Sequence, residues 1–397
     1  MVIERSRNDQ DGLNSYLIEL IRQTAYFKLR PYLVFTLFLS SLCMKALTFQ
    51  GKQQIVYTNS PDPVLVSADD VIVRILVTAV CGSDLHVYHG RETGLDCGTI
   101  MGHELVGEVV EKGKNVRNFR IGDRVVSPFS TNCGVCYYCQ IGLTCRCSQS
   151  QLYGWVAYGK GLHGVQAEYA RVPNADATLL RFDASLSPET ALLIADVRST
   201  GYHCAVQAGI GQLGYPAANS VVVLGCGAVG LMALVAALEL GAERVYALDI
   251  LPERLSLAEV YGGIGLVGSP PEEAIAQIME ATDGRGADVV LEAIGGFDAL
   301  SLSYRLVRPG GIISSVGVHT NEQFPFSPIA AYDKNLTFKA GRAPVRRYMP
   351  HLLAQAHDCR FDIGKIITHR FGLSDGAEAY RVFAERRNNC IKALLLP

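Results

Sequence analysis

The run Val221-Val-Val-Leu-Gly225-Cys-Gly227-Ala-Val-Gly230 constrains the fold more than any other stretch of this chain. A short, continuously apolar segment is a strand buried on both faces, and glycines at its end carry the chain through a tight turn into the helix predicted over 230–240. The first glycine permits the turn, the second lets a phosphate approach the backbone, and the third brings helix against strand. The helix amino end then faces an anion. Such spacing alone also suits turn glycines with no ligand. Here the next apolar strand, Arg244-Val-Tyr-Ala-Leu248, leads to Asp249, nineteen residues after Gly230, where a carboxylate can accept hydrogen bonds from an adenosine ribose. Gly225, Gly227, Gly230 and Asp249 are therefore candidate dinucleotide contacts. A carboxylate would repel a 2′-phosphate, which favours NAD over NADP, and Arg254 five residues on softens that preference. A turn or helix-cap role is the competing reading of Asp249.

Strands over 287–291 and 311–316 and a helix over 271–282 continue the alternation. Continuous apolar strands alternating with helices predict a doubly wound parallel sheet covered on both faces. Upstream, short runs over 44–49, 71–77, 102–110 and 124–128, with Gly, Asn and Asp at their joints, predict a β-rich, barrel-like half. The fold class is α/β. The expected division is an N-terminal extension 1–43, a β-rich domain 44–198, a parallel-sheet domain 199–343, and a segment 344–397 that returns to the first domain. A length of 397 residues accommodates two or three such units. Hydrophobic residues at 49% against 19% charged exclude disorder as the main state, and a net charge of −2 implies no nucleic-acid partner.

Within the extension, the apolar run Tyr32-Leu-Val-Phe-Thr-Leu-Phe-Leu-Ser-Ser-Leu-Cys43 is shorter than the roughly 17–25 residues of a spanning helix. Its length fits a signal-peptide core or an interfacial segment, although it lies late for a signal. Arg22, Lys28 and Arg30 precede it as a basic flank, while Glu4, Asp9, Asp11 and Glu19 argue against a mitochondrial transit peptide. Weak membrane association or targeting, a dispensable leader, and ordinary packing all stay open. The rest of the chain reads as cytoplasmic.

Five of the 12 cysteines fall between Cys133 and Cys147. A tight cluster in a long chain reads as a metal site in a reducing compartment, not as a disulfide framework. Cys133, Cys136, Cys139 and Cys147 supply four thiolates for a closed tetrahedral zinc shell, which is structural because it has no open position. Cys145 is a substitute ligand, and disulfides or an iron–sulfur cluster are the competing readings. Elsewhere, Cys81-Gly-Ser83-Asp-Leu-His86 and Gly102-His103-Glu104 place a thiol and imidazoles where zinc would suit them, yet a third donor is needed for a catalytic site with an open position.

These motifs, in this order with the four-cysteine lobe and Gly225–Gly230, resemble the zinc-dependent alcohol dehydrogenases of the medium-chain dehydrogenase/reductase superfamily. The resemblance covers Met44 to Pro397. It implies a GroES-like β-rich catalytic domain beside a Rossmann-type sheet, and two zinc ions per chain, one catalytic and one structural. It makes Cys81 and His103 catalytic zinc ligands, Glu104 a carboxylate able to approach the metal, and Ser83 and His86 a proton relay. The third ligand position, four residues before Thr200-Gly201-Tyr202, is Asp196, and aspartate there is similar to the formaldehyde-dehydrogenase-like branch. Lys392 resembles the family's pyrophosphate contact. Arg198 departs from the pattern, and its benign reading is a side chain turned away into an ion pair.

The implied activity is hydride transfer between a small alcohol or aldehyde adduct and NAD, in a homo-oligomer that is a dimer or a tetramer. A polyol dehydrogenase and a non-catalytic NAD- or zinc-binding protein are the alternatives. Tyr153, Trp155 and Tyr158 read equally well as substrate-loop or packing residues.

Overall fold

The computed structural model describes residues 43–212, 219–268 and 270–397. The extension and its apolar run lie outside these residues, apart from Cys43 at the start of the strand Cys43–Gly51. Lys45–Asn59 with Pro63–Pro397 form one compact unit. Among the described residues no helix is long and apolar enough to cross a membrane.

Ser220–Leu224 is buried along its whole length and sits inside a six-stranded sheet. The strand order is Ile264–Val267, Arg244–Asp249, Ser220–Leu224, Ala287–Glu292, Val307–Ser315, Thr337–Ala340, and every pairing is parallel. This Rossmann-type order reverses direction between Ser220–Leu224 and Ala287–Glu292, which opens a crevice at their carboxyl ends. Leu224 stands in register with Glu292 at that crevice. The helix Ala228–Glu239 follows the glycine turn and buries eight of its residues. Val307–Ser315 starts earlier than expected, running through Arg308-Pro-Gly, and the pairing register shifts there, which is where a strand tolerates proline.

The GroES-like half forms a seven-stranded sheet. Its order is Ile367–Gly372, Lys392–Leu396, Val71–Val80, Leu105–Lys112, Arg124–Ser127, Leu180–Arg181, with Tyr169–Val172 also paired to Val71–Val80. Cys43–Gly51 pairs with Gln54–Pro61 in a separate two-stranded sheet and is bridged to Ala167 and Ile100, which gives this half its expected β-rich character. Lys392–Leu396 lies antiparallel on Val71–Val80, with Ala393 opposite Val80, so the C-terminal strand ends up beside Cys81.

Between the sheets run two helices, Pro188–Leu193 and Ser199–Gln207, joined by the π-turn Ile194–Arg198. Ser187 caps the first by accepting from the Thr190 N–H at 3.0 Å, with Pro188 in the first turn. The segment's apolar side chains, Leu192, Leu193, Ile194 and Val197, belong to a single core with Val77 and Val106 of one sheet and Val223 of the other.

Asp288 ties the parallel strands together. Its Oδ2 accepts from Ser220 N at 2.9 Å and Ser220 Oγ at 3.0 Å, and its Oδ1 from Arg308 Nε at 2.6 Å. Partial burial pushes this carboxyl up, but the Arg308 and Ser220 hydrogen bonds outweigh it and hold the pKa below the ordinary carboxylate value. Its stabilisation is therefore complete above the unfolded-state pKa and is lost as pH falls through the lower folded value. Asp288→Asn is expected to cost about 1–2 kcal/mol at pH 7. Urea denaturation should show that the difference from wild type shrinks on acidification.

Candidate functional site

The strand Val71–Val80 delivers Cys81 to the end of its sheet, and His103 and Glu104 lie immediately before the neighbouring strand Leu105–Lys112. Asp196 enters from the π-turn, whose extra backbone residue re-aims the side chain. One ligand atom from each of Cys81, His103, Glu104 and Asp196 lies within 4.8 Å of the others. Cys81 Sγ is 3.6 Å from Asp196 Oδ2, and His103 Nε2 is 3.9 Å from the same oxygen. The four residues thus meet from three distant stretches of sequence.

Asp84, which the sequence reading passed over, orients the histidine. Its Oδ1 lies 3.2 Å from His103 Nδ1, while its Oδ2 accepts from Cys81 N at 3.0 Å and from Gln166 Nε2 at 3.4 Å. Gln166 Oε1 in turn accepts from Tyr380 OH at 2.9 Å, and both side chains are fully buried. A carboxylate on Nδ1 keeps the proton there and turns the Nε2 lone pair toward Cys81 and Asp196. The signal for Asp84 lay inside Cys81-Gly-Ser-Asp84, but the contact to His103 spans a fold that spacing does not display.

Lys392 is brought to this cluster, where its buried ammonium is ion-paired with Glu104 Oε1 and lies 3.5 Å from Val80 O. The register of Ala393 with Val80 puts it there. Glu104 Oε2 is buried without a hydrogen-bond partner. Burial raises the Glu104 carboxyl to about 7 despite the pull of Lys392. Burial and the Asp196 charge raise the Cys81 thiol too. Burial opposes protonation of His103, but Asp84 and Cys81 outweigh it and raise its pKa well above the ordinary value. A thiol, an imidazole and two carboxylates crowded out of water suit a divalent cation, which reverses each of these burial penalties. The soft and borderline donors fit zinc.

Ser83 Oγ lies 3.4 Å from His103 Nε2. His86 is on the next turn of the short helix Asp84–Tyr88, and its Nδ1 is buried without a partner. No hydrogen bond joins Ser83 Oγ to the His86 ring among those described, so the chain alone supplies the two ends of a relay without the link.

In the lobe, Cys133, Cys136, Cys139 and Cys147 also converge within 4.8 Å. Cys133 N and Gln149 N donate to Cys147 Sγ at 3.2 and 3.3 Å, and Cys136 N donates to Cys133 Sγ at 3.4 Å. Cys145 points elsewhere, donating to Arg342 O at 3.2 Å, so it is not part of this set. All twelve cysteines are free thiols.

At the glycine turn, Gly225 has φ +91°, and a Cβ there would meet Ile294 Cγ1 at 2.4 Å. A Cβ on Gly230 would lie 1.7 Å from Gly225 O. A Cβ on Gly227, by contrast, would meet only Arg254 Nη1, at 3.7 Å, so no backbone closes over this glycine. Asp249 accepts from Cys226 N at 2.8 Å and Leu251 N at 3.0 Å, and Arg254 Nη1 lies 3.5 Å from it. Glu292, also missed from sequence, is fully buried across the crevice and accepts from Ile294 N at 2.7 Å and Gly295 N at 2.5 Å, which shapes the loop against Gly225. Tyr153 is buried on Ser127 Oγ at 3.1 Å, Trp155 packs on the core near Met101, and Tyr158 is exposed. Arg198 is turned into an ion pair with Glu239, as its benign reading expects.

Comparison with known proteins agrees with the fold. Residues 67–181 match the family described as alcohol dehydrogenase GroES-like domain, and residues 228–355 match that described as zinc-binding dehydrogenase. Zinc-type alcohol dehydrogenase B of Aspergillus flavus is 40% identical over 342 residues, covering 86% of this chain and 78% of that protein. The NADP-dependent isopropanol dehydrogenase of Clostridium beijerinckii is 33% identical over 358 residues, covering 89% of this chain and 100% of that protein. Among solved structures, alcohol dehydrogenase TADH from Thermus sp. ATN1 superposes with a TM-score of 0.82 at 36% identity, covering 89% of this chain and 99% of that one.

The Asp84–His103 contact generates a test. Asp84→Asn keeps the shape but sets an amide against His103 Nδ1, and is expected to weaken metal binding at this cluster about 10–100-fold. Chelator competition on the folded variant measures it.

Proposed function

The chain belongs to the zinc-binding alcohol dehydrogenase family of the medium-chain dehydrogenase/reductase superfamily, and on that premise we propose how its residues divide the work. It is a zinc-dependent oxidoreductase that transfers hydride between an alcohol and NAD(P). One observation carries the assignment of roles: the convergence of Cys81, His103, Glu104 and Asp196 within 4.8 Å. In this reading Cys81, His103 and Asp196 hold a catalytic zinc, Glu104 is the carboxylate held in reserve, and Cys133, Cys136, Cys139 and Cys147 hold a second, structural zinc. Asp196 in the third position supports the formaldehyde-dehydrogenase-like branch. The domain frame is 44–198 and 199–343, with 344–397 returning to the first.

When bound, the zinc supplies a Lewis acid that makes the alcohol hydroxyl easier to deprotonate, and the nicotinamide supplies the hydride acceptor. The chain's own residues prepare for this. Asp84 fixes the His103 tautomer, and Lys392 holds Glu104 by its ion pair while adding positive charge for an anionic pyrophosphate. Ser83 and His86 are the proton acceptors of the chain. Burial lowers the His86 pKa, which favours the neutral imidazole, and its Nδ1 has no partner within the protein. Gly225, Gly227, Gly230 and the start of Ala228–Glu239 receive the phosphates, and Asp249 with Arg254 receives the adenosine ribose. The Asp249 carboxylate already engages Arg254 at 3.5 Å, which leaves less free positive charge for a 2′-phosphate and favours NAD. Cysteines without disulfides fit a reducing, cytoplasmic compartment, and the family resemblance implies a homo-oligomer, a dimer or a tetramer.

Purified protein supplied with simple alcohols, hydroxymethyl adducts and polyols is expected to form NADH faster than NADPH. Cys81→Ser should lower turnover by about a thousandfold or more, since the metal's charge stabilisation is worth several kcal/mol. Turnover unaffected by Cys81→Ser would overturn the site, and faster NADPH formation would overturn the cofactor preference. Metal analysis is expected to find about two zinc ions per chain, and about one in either Cys81→Ser or Cys139→Ser, with a lowered melting temperature only in the latter.

A further inference from the structure

Arg198 has no part in that scheme, yet its guanidinium is buried two residues from Asp196, with 4% of the residue exposed. A buried charge costs several kcal/mol of desolvation unless its partners are well placed, and an apolar side chain would fill the space without that cost. The partners are informative. Nη2 is ion-paired with Glu239, Nη1 donates to Met232 O at 3.4 Å, and the guanidinium lies over the Tyr202 ring at 5.7 Å from its centroid. Glu239 and Met232 both belong to Ala228–Glu239, the helix that begins at the glycine turn.

Two further contacts fasten the same segment. A Cβ on Gly201 would lie 2.5 Å from Ala233 N, so the backbones of Ser199–Gln207 and Ala228–Glu239 touch there. Ser199 Oγ donates to Ile194 O at 2.6 Å and closes the π-turn. The turn bearing Asp196 is thus clamped to the helix that leaves the glycine turn. Cys81 and His103 are anchored differently, on the strands Val71–Val80 and Leu105–Lys112. The turn bearing Asp196 shares the core with Val77 and Val106 of those strands, and the Arg198 and Gly201 contacts add a tie to the helix that Cys81 and His103 do not have.

We propose that Arg198 is a positioning residue that makes Asp196 travel with the dinucleotide-binding helix, so that cofactor binding and the geometry of the catalytic metal site are coupled. The proposal rests on the reading of Asp196 as a metal donor. Any displacement of the helix on taking up the dinucleotide is handed to the Asp196 carboxylate through the guanidinium and the Gly201 contact, and by linkage the metal and the dinucleotide then change each other's affinity by one common factor.

The test uses the full-length protein with Co²⁺ in the catalytic site and the four-cysteine lobe left as purified, read by visible absorption. In wild type, NAD is expected to shift the Co²⁺ band and to tighten Co²⁺ binding about fivefold or more. Arg198→Met is expected to bind Co²⁺ with a band that no longer responds to NAD, a coupling below about twofold and, by the same linkage, a lower kcat with a KM for NAD raised by about the lost factor, roughly fivefold. Absence of coupling in wild type, or wild-type coupling in Arg198→Met, overturns the proposal. Should Arg198→Met fail to fold, Glu239→Gln reads the same clamp from a partner whose side chain is 25% exposed, with an intermediate loss of coupling expected and wild-type coupling overturning it. Asp196→Asn separates the two readings. A changed band without cofactor upholds Asp196 as donor, whereas an unchanged band removes that donor and the coupling with it.

Discussion

A buried knot of charge at the end of Val71–Val80 sets the terms for the rest of the molecule. Cys81, His103, Glu104 and Asp196 occupy one small volume with Asp84 behind them, and Lys392 is the buried cation that pairs with Glu104. Gathering such groups away from water costs several kcal/mol per ion before any partner is counted. The sheet topology supplies the partners. Only because the last strand of the chain lies antiparallel on Val71–Val80, with Ala393 opposite Val80, does Lys392 reach Glu104 across 288 residues of sequence. Only because Val71–Val80 ends where Leu105–Lys112 begins does Asp84 reach His103.

The same constraint explains why the segment between the sheets is irregular. An unbroken α-helix from Pro188 to Gln207 would keep a strict 3.6-residue period and bury only its apolar stripe. The π-turn Ile194–Arg198 interrupts that period, so Leu192, Leu193, Ile194 and Val197 stay in the core while Asp196 is aimed at Cys81 and Arg198 at Glu239. Asp196 and Arg198, two positions apart and so on opposite sides of the turn, are sent to different destinations.

What the amino-acid sequence disclosed follows from how local each signal is. The strand Ser220–Leu224, the glycine turn and the four-cysteine lobe are each contained in a short window, and the structure carries all three. Ile264–Val267 escaped because its outer residues are exposed and Gly265 interrupts the apolar run, and Thr337–Ala340 because an edge strand lacks full burial. Val307–Ser315 was shortened because Arg308-Pro-Gly reads as a turn. Cys81, His103 and Asp196 could be joined only through a family resemblance, since no periodicity links three separate segments. Asp84, Gln166, Tyr380 and Glu292 act through contacts that register and packing create, and Lys392 gained its Glu104 partner in the same way.

The two metal-competent clusters differ in a way that bears on what each can do. The four-cysteine lobe draws every donor from Cys133–Cys147, and nearby backbone N–H groups of Cys133, Cys136 and Gln149 point at its sulfurs. Its shape is fixed by one loop, and four thiolates leave no position for a substrate. The other cluster mixes a thiol, an imidazole and carboxylates, draws them from three segments, and leaves Glu104 Oε2 without a partner. A donor set spread over separate supports can change its spacing when the supports shift, and a spare carboxylate oxygen can enter as another donor leaves. A site that only holds the fold gains nothing from that freedom; one that must exchange a ligand during turnover requires it.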